Sequence, residues 1–227
     1  MKPLKILAFS DMHGERRAVD MARALLEKGD YDLVVYLGDF SKAIGDTAAN
    51  SADAAYLFDK LEPYAEVSSL FGNCDSEEFA KSLEKEGKSL HGKLIFKGNT
   101  AIIGWGGSHP TPFHTPMELS ETEIEEGLEK LIKEAASTGA EKLILFTHDA
   151  PARTKADLIP SGHVGSEAIR TIIEQHQPNI AICGHIHEAK SKDKVGTTDV
   201  FNVGPASEGN FLEITVGEDL SAKEIKV

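Results

Sequence analysis

A mixed α/β fold with two β-layers is predicted by three observations on this chain of 227 residues. Short apolar runs alternate with amphipathic stretches through the first half. A Gly98-Asn99 turn then separates two strand-like runs. A second strand-helix-strand alternation begins near Lys142. Strands separated by helices pair in parallel, because a right-handed crossover returns the chain to the same end of the sheet.

Each element follows from its local pattern. Leu4–Phe9 is the first buried strand, and residues 15–28 form a helix with Ala18, Ala22, Leu25 and Leu26 on one face and Gly29 as its stop. Residues 33–37 are a second buried strand, 52–61 a second helix and 67–71 a third strand. Lys93–Lys97 and Thr100–Trp105 flank Gly98-Asn99 as a β-hairpin. Ser120 and Glu123 form a capping-box pattern ahead of a helix whose Ile124, Leu128, Leu131, Ile132 and Ala135 share a face, and Gly139 ends it. A strand over 142–146, a helix over Glu167–His176 capped by Ser166, and a strand over Ile180–Cys183 complete the second βαβ unit. The runs 198–203 and 211–216 read as antiparallel strands. Residues 1–227 read as a single domain, since no linker, repeat or low-complexity segment interrupts them.

An apolar share of 41% and a charged share of 27% belong to a soluble globular chain. Its 24 Lys and Arg against 37 Asp and Glu give a net charge of −13, which opposes attraction to long nucleic acids and to anionic membranes. An acidic protein that handled phosphate esters would need bound cations to reverse that field locally. Two cysteines exclude a disulfide framework, and Cys183, within an apolar run, reads as a small buried hydrophobe. The first apolar run is too short for a signal-peptide core, and no run approaches the roughly 20 residues of a membrane span. A cytoplasmic location is the resulting expectation.

Five strand ends carry chemistry: Asp11-Met12-His13-Gly14, Gly38-Asp39, Gly72-Asn73-Cys74-Asp75, Thr147-His148-Asp149 and Gly184-His185-Ile186-His187. The carboxyl ends of parallel strands form the usual ligand crevice, so these segments are expected to converge. Asp-x-His and His-x-His place two ligating side chains on the same side of an extended backbone, facing a shared centre. Imidazole and carboxylate donors without thiolate suit Mn, Fe, Zn or Ni. Asp11, His13, Asp39, Asn73, His148, His185 and His187 are too many donors for one ion and enough for two.

In order and context these motifs resemble the signature of the calcineurin-like metallophosphoesterase superfamily over nearly the whole chain. The stretches Gly106-Gly107-Ser108-His109-Pro110-Thr111-Pro112-Phe113 and Gly184-His185-Ile186-His187-Glu188-Ala189 are similar to its microbial phosphoesterase branch. The resemblance implies a four-layer α/β/β/α sandwich. It implies two divalent ions, with manganese expected and nickel, iron or zinc as alternatives. Asp11, His13 and His187 would bind one ion, Asn73, His148 and His185 the other, and Asp39 would bridge; Asp39, Asn73 and His148 would also be catalytic. A water between ions about 3.5–4 Å apart would then attack phosphorus in line as hydroxide.

The implied activity is hydrolysis of a small phosphate ester or nucleotide, as a phosphodiesterase. A phosphomonoesterase or pyrophosphohydrolase is the alternative within enzymes, and a metal-binding scaffold the alternative outside them. A nuclease fits poorly because the chain has no basic run. Homo-oligomers are left open.

Two departures from the signature stand out. Many members carry His where this chain has Cys74, and a thiol with a pKa near 8.5 is a poor proton donor for a leaving alkoxide at neutral pH. Thr147 replaces the Gly that usually precedes the fourth-motif His. Of the remaining histidines, His109 and His114 lie in a Pro-rich loop suited to line the substrate mouth. His163 precedes a helix N-terminus that could attract a phosphate, with Cys74 completing this substrate-binding set. His91 and His176 read as surface or helix-end residues without a catalytic role.

Overall fold

The computed structural model describes residues 2–227. Numbered along the chain, the helices are α1 (Arg17–Leu26), α2 (Thr47–Leu61), α3 (Glu77–Lys85), α4 (Glu121–Ser137) and α5 (Glu167–His176). The strands are β1 (Leu4–Phe9), β2 (Leu33–Tyr36), β3 (Glu66–Ser69), β4 (Lys93–Lys97), β5 (Thr100–Trp105) and β6 (Lys142–Thr147), followed by a short ribbon of β7 (Leu158–Ile159) and β8 (Gly162–His163). The last five are β9 (Ile180–Cys183), β10 (Ser191–Val195), β11 (Thr198–Asn202), β12 (Asn210–Val216) and β13 (Leu220–Lys226). One sheet is ordered β13-β12-β1-β2-β3 and the other β10-β11-β9-β6-β5-β4.

Period-two alternation explains the layering. In β1, Leu7 and Phe9 pack toward α1 and α2 while Ile6 and Ala8 face the other sheet; in β2, Val34 and Tyr36 go one way and Leu33 and Val35 the other. In β6 and β9, Ile144, Phe146, Ile180 and Ile182 meet the first sheet, whereas Leu145, Ala181 and Cys183 meet α4 and α5. Strands apolar on both faces must be covered on both. The result is helices, sheet, sheet, helices, as expected.

β1, β2 and β3 are mutually parallel, as are β5, β6, β9 and β11. Their carboxyl ends therefore lie at one end of the sandwich, and the loops leaving them meet there. Helix ends obey their caps: the Ser120 box forms in full, with the hydroxyl accepting from Glu123 N and the Glu123 carboxylate accepting from Ser120 N.

Four features differ from the sequence expectation. α2 starts five residues earlier than predicted, because Asp46 accepts from Ala48 N and Ala49 N. α3 is additional; it buries only Phe79, Ala80 and Leu83, too few to set a period, and rests on the Ser76 cap. β10 and β13 are edge strands with weak signals: β10 has one apolar residue, Val195, and the Leu220, Ala222 and Ile225 of β13 are interleaved with Ser, Lys and Glu. β11, expected to be antiparallel, pairs in parallel with β9 and antiparallel only with β10.

Candidate metal centre

The loops after β1, β2 and β3 bring Asp11, His13, Asp39 and Asn73 to the sandwich end, and those after β6 and β9 bring His148, His185 and His187 against them. Donor atoms gather in two groups, Asp11-His13-His187 and Asp11-Asp39-His148, each within 4.8 Å. In the first, His13 Nε2 lies 3.3 Å from His187 Nε2 and 3.9 Å from Asp11 Oδ1, and His187 Nε2 is 3.5 Å from the same oxygen. Asp39 reaches both groups with different oxygens, Oδ2 at 3.6 Å from His13 Nε2 and Oδ1 at 3.7 Å from His148 Nε2. Asn73 Oδ1 is 3.0 Å from His148 Nε2. His185 enters neither group through its ring, which packs 5.1 Å from that of His148, centroid to centroid.

These residues do not sit in extended backbone, as the spacing argument assumed. Asp11, His13, Asp39 and His185 have φ of 56°, 43°, 61° and 65°, the left-handed region. Asp and His tolerate it better than most residues, yet each such position costs about 1–3 kcal/mol. The turns also split the His-x-His pair, sending His187 to His13 and His185 to His148. Two close approaches need glycine. A Cβ on Gly72 would stand 2.0 Å from Asp39 Oδ1, and one on Gly184 would stand 2.5 Å from Asp11 Oδ2.

The donor set fits a cation. His148 Nδ1 lies 2.8 Å from Leu37 O, which only accepts, so Nδ1 carries a proton and the neutral ring, when present, has its lone pair on Nε2. That lone pair faces Asn73 Oδ1 and Asp39 Oδ1, an arrangement that is repulsive without positive charge between them. Asp11 Oδ1 is buried with no hydrogen-bond partner. Burial disfavours the charged form of His148, but the Asp39 and Asp11 carboxylates outweigh it and raise its pKa. Burial alone would raise the Asp11 carboxyl; the His187 ring 3.5 Å from Oδ1 and the fields of His148 and His13 hold it below its ordinary value. His187 is raised, first by the Asp11 carboxylate beside it, whereas burial lowers His185.

Residues 4–189 match the sequence profile of the calcineurin-like phosphoesterases. The chain belongs to that family. It is 34% identical over 216 residues to an uncharacterized protein of Methanocaldococcus jannaschii, covering 91% of each chain. Solved structures with the same fold include a protein of Thermus thermophilus (TM-score 0.70, 17% identity, 98% of this chain and 99% of that one). A dimetal phosphatase from Danio rerio is similar too (TM-score 0.70, 14% identity, 98% and 96%).

In this calcineurin-like phosphoesterase the supporting residues had little sequence signal. Asp75 is buried under the centre and accepts from Asp39 N, Phe40 N, Gly72 N and Asn50 Nδ2, at 2.7–3.0 Å, so one carboxylate braces two of the site loops. Tyr36 OH donates to Asp39 O and accepts from Met12 N, tying the first two loops together. Thr147, the departure from the signature, donates to Asp149 O and knots the turn around His148. Asp75→Ala is expected to strand these buried donors and cost about 3–5 kcal/mol, read as a large fall in the thermal midpoint of metal-free protein.

The substrate-binding candidates divide. Cys74 lies at the centre: its N donates to Asp39 Oδ1 at 2.9 Å, and burial followed by the Asp39 charge pushes its thiol pKa up. His109 is held by Asp149, the neighbour of His148, through both Nδ1 (2.7 Å) and its backbone N (2.9 Å), and that bond raises its pKa against burial. His114 is exposed on the same loop beside Phe113, itself 82% exposed. His163 departs from expectation. It pairs with Asp157, and the N-terminus of α5 is already occupied by Glu121, whose carboxylate accepts from Glu167 N and Ala168 N. No donor is left there for a phosphate. His91 is a correction as well: it stacks between Phe71 and Trp105, accepts from Gly106 N, and burial lowers its pKa to about 4.

Proposed function

We propose that this chain is a dinuclear metal-dependent phosphoesterase that hydrolyses a small phosphate ester or nucleotide, with a preference for diesters or activated esters. The reading is carried by the convergence of His148 Nε2, Asn73 Oδ1 and Asp39 Oδ1 beside a second donor group, Asp11-His13-His187, toward which Asp39 Oδ2 turns. Asp11, His13 and His187 would hold one ion, Asn73, His148 and His185 the other, with Asp39 between. Divalent ions there would supply positive charge to phosphoryl oxygens and lower the pKa of water toward neutrality.

The chain's own residues do the rest. The Leu37 carbonyl fixes the His148 tautomer, so that the lone pair of the neutral ring faces the centre. Cys74 N holds Asp39 Oδ1, while Oδ2 is left toward His13. His109, on the loop after β5, is paired with Asp149 on the loop after β6, and an imidazole with raised pKa there would donate to a phosphoryl oxygen. Local positive charge would overcome the net charge of −13 for a small anion, whereas a long nucleic acid would meet repulsion over the whole surface. Among the described residues no helix is long and apolar enough to cross a membrane. Both cysteines are free, which fits the cytoplasmic setting we assign.

Metal-free protein titrated with Mn²⁺ is expected to approach two equivalents. Loaded protein should then cleave members of a panel of phosphomonoesters, diesters and nucleotides. Saturation at one equivalent with every metal tried would reject the dinuclear arrangement, and a metal-loaded protein inert on the whole panel would reject the enzyme.

A further inference from the structure

The loop between β5 and α4 touches the side chain of Asn73 through the hydroxyl of Thr115. Thr115 Oγ1 lies 3.0 Å from Asn73 Nδ2 and 2.9 Å from Glu118 Oε1. The same carboxylate oxygen takes Thr115 N at 2.8 Å and Thr111 Oγ1 at 2.6 Å. An ionised carboxylate only accepts, so the single hydroxyl proton of Thr115 is committed to Glu118. The oxygen of Thr115 is then left as an acceptor toward Asn73.

That polarity passes to the amide. Asn73 has one donor end and one acceptor end, and an acceptor at Thr115 selects the donor end. Oδ1 must then point the other way, to where it lies 3.0 Å from His148 Nε2. Met117 N donates to Asn73 O at 3.1 Å, so the backbone of the residue is pinned by the same loop. If Thr115 offered its proton instead, the amide would turn over and present NH₂, which cannot ligate a cation, to the centre.

We infer that Thr115, with its polarity set by Glu118, is the positioning residue that makes Asn73 a ligand of the second ion. The inference rests on the dinuclear reading above. Outer partners of this kind commonly change metal affinity about 10–100-fold when removed.

The test is calorimetric titration of metal-free protein with Mn²⁺, comparing wild type with Thr115→Val, Thr115→Ser and Glu118→Ala. Thr115→Val, which keeps shape and removes the hydroxyl, should weaken the second binding event by about 10–100-fold and leave the first unchanged. Thr115→Ser should restore it, and Glu118→Ala should weaken it as Thr115→Val does. Equal second-site affinity in Thr115→Val and wild type would overturn the proposal, as would failure of Thr115→Ser to rescue. A second readout needs no metal: by NMR, the Asn73 side-chain amide protons should exchange more slowly in wild type than in Thr115→Val. If wild type bound only one ion while this difference persisted, the dinuclear reading would fall and the positioning role would stand. Identical exchange in the two proteins would end the positioning role itself.

Discussion

Asp39→Ala is expected to reduce turnover about 10³-fold or more, the loss that follows when several kcal/mol of metal-dependent stabilisation disappear. The reason is geometric. Its two oxygens face different donor groups, Oδ2 toward His13 and Oδ1 toward His148, so its loss opens both groups at once and leaves only Asp11 in common to them. Metal content by elemental analysis should fall in parallel. Near wild-type turnover with two ions retained would show that Asp39 is not the bridge. Asp75→Ala provides the contrast, because Asp75 makes its contacts to backbone and to Asn50 and should act through the fold. For Asp39→Ala the activity loss should exceed what the change in thermal midpoint explains.

Leaving-group dependence should be the second large effect. At the position of Cys74 a thiol, whose pKa is pushed up by burial and by the Asp39 charge, stands where an imidazole would protonate a departing alkoxide. Without an effective donor there, the charge developing on the leaving oxygen is relieved only by that group's own acidity. Substrates with poor leaving groups should therefore react about 10²–10⁴-fold more slowly than activated ones, the usual span of general-acid catalysis. The measurement is a plot of log kcat/KM against leaving-group pKa for a series of aryl and alkyl esters, with a steep negative slope expected. Cys74→Ser should change little and Cys74→His should flatten the slope. A large loss of turnover in Cys74→Ser with metals bound would give the thiol a direct role and sink this account.

Much of the architecture was legible because it rests on period-two burial and on caps. The strands of β1, β6 and β9, the helix face from Ile124 to Ala135 and the Ser120 box all follow from adjacent residues. What was not legible depends on distant partners. α3 carries few apolar residues, and β10 and β13 are edge strands stabilised by pairing to a neighbour already in place. At the centre, the candidate donors announce themselves by type and by position after strands. Their support does not: Asp75, Tyr36 and Thr115 act through bonds to backbone or to an amide far along the chain. The surroundings of His163 and His91 were hidden for the same reason, since Glu121, Phe71 and Trp105 decide what these two rings can do.

The left-handed turns at Asp11, His13, Asp39 and His185 also have an energetic consequence. A chain that used this end of the sandwich only as a rigid surface could take glycine at those positions, losing the bonds that Asp39 Oδ1 accepts from Cys74 N and Asp11 Oδ2 from His185 N. It would gain relief from torsional strain, and random mutation would supply such changes readily. Donor side chains at these four neighbouring turns instead carry a torsional cost that glycine would relieve, a cost that only the groups those side chains hold can offset.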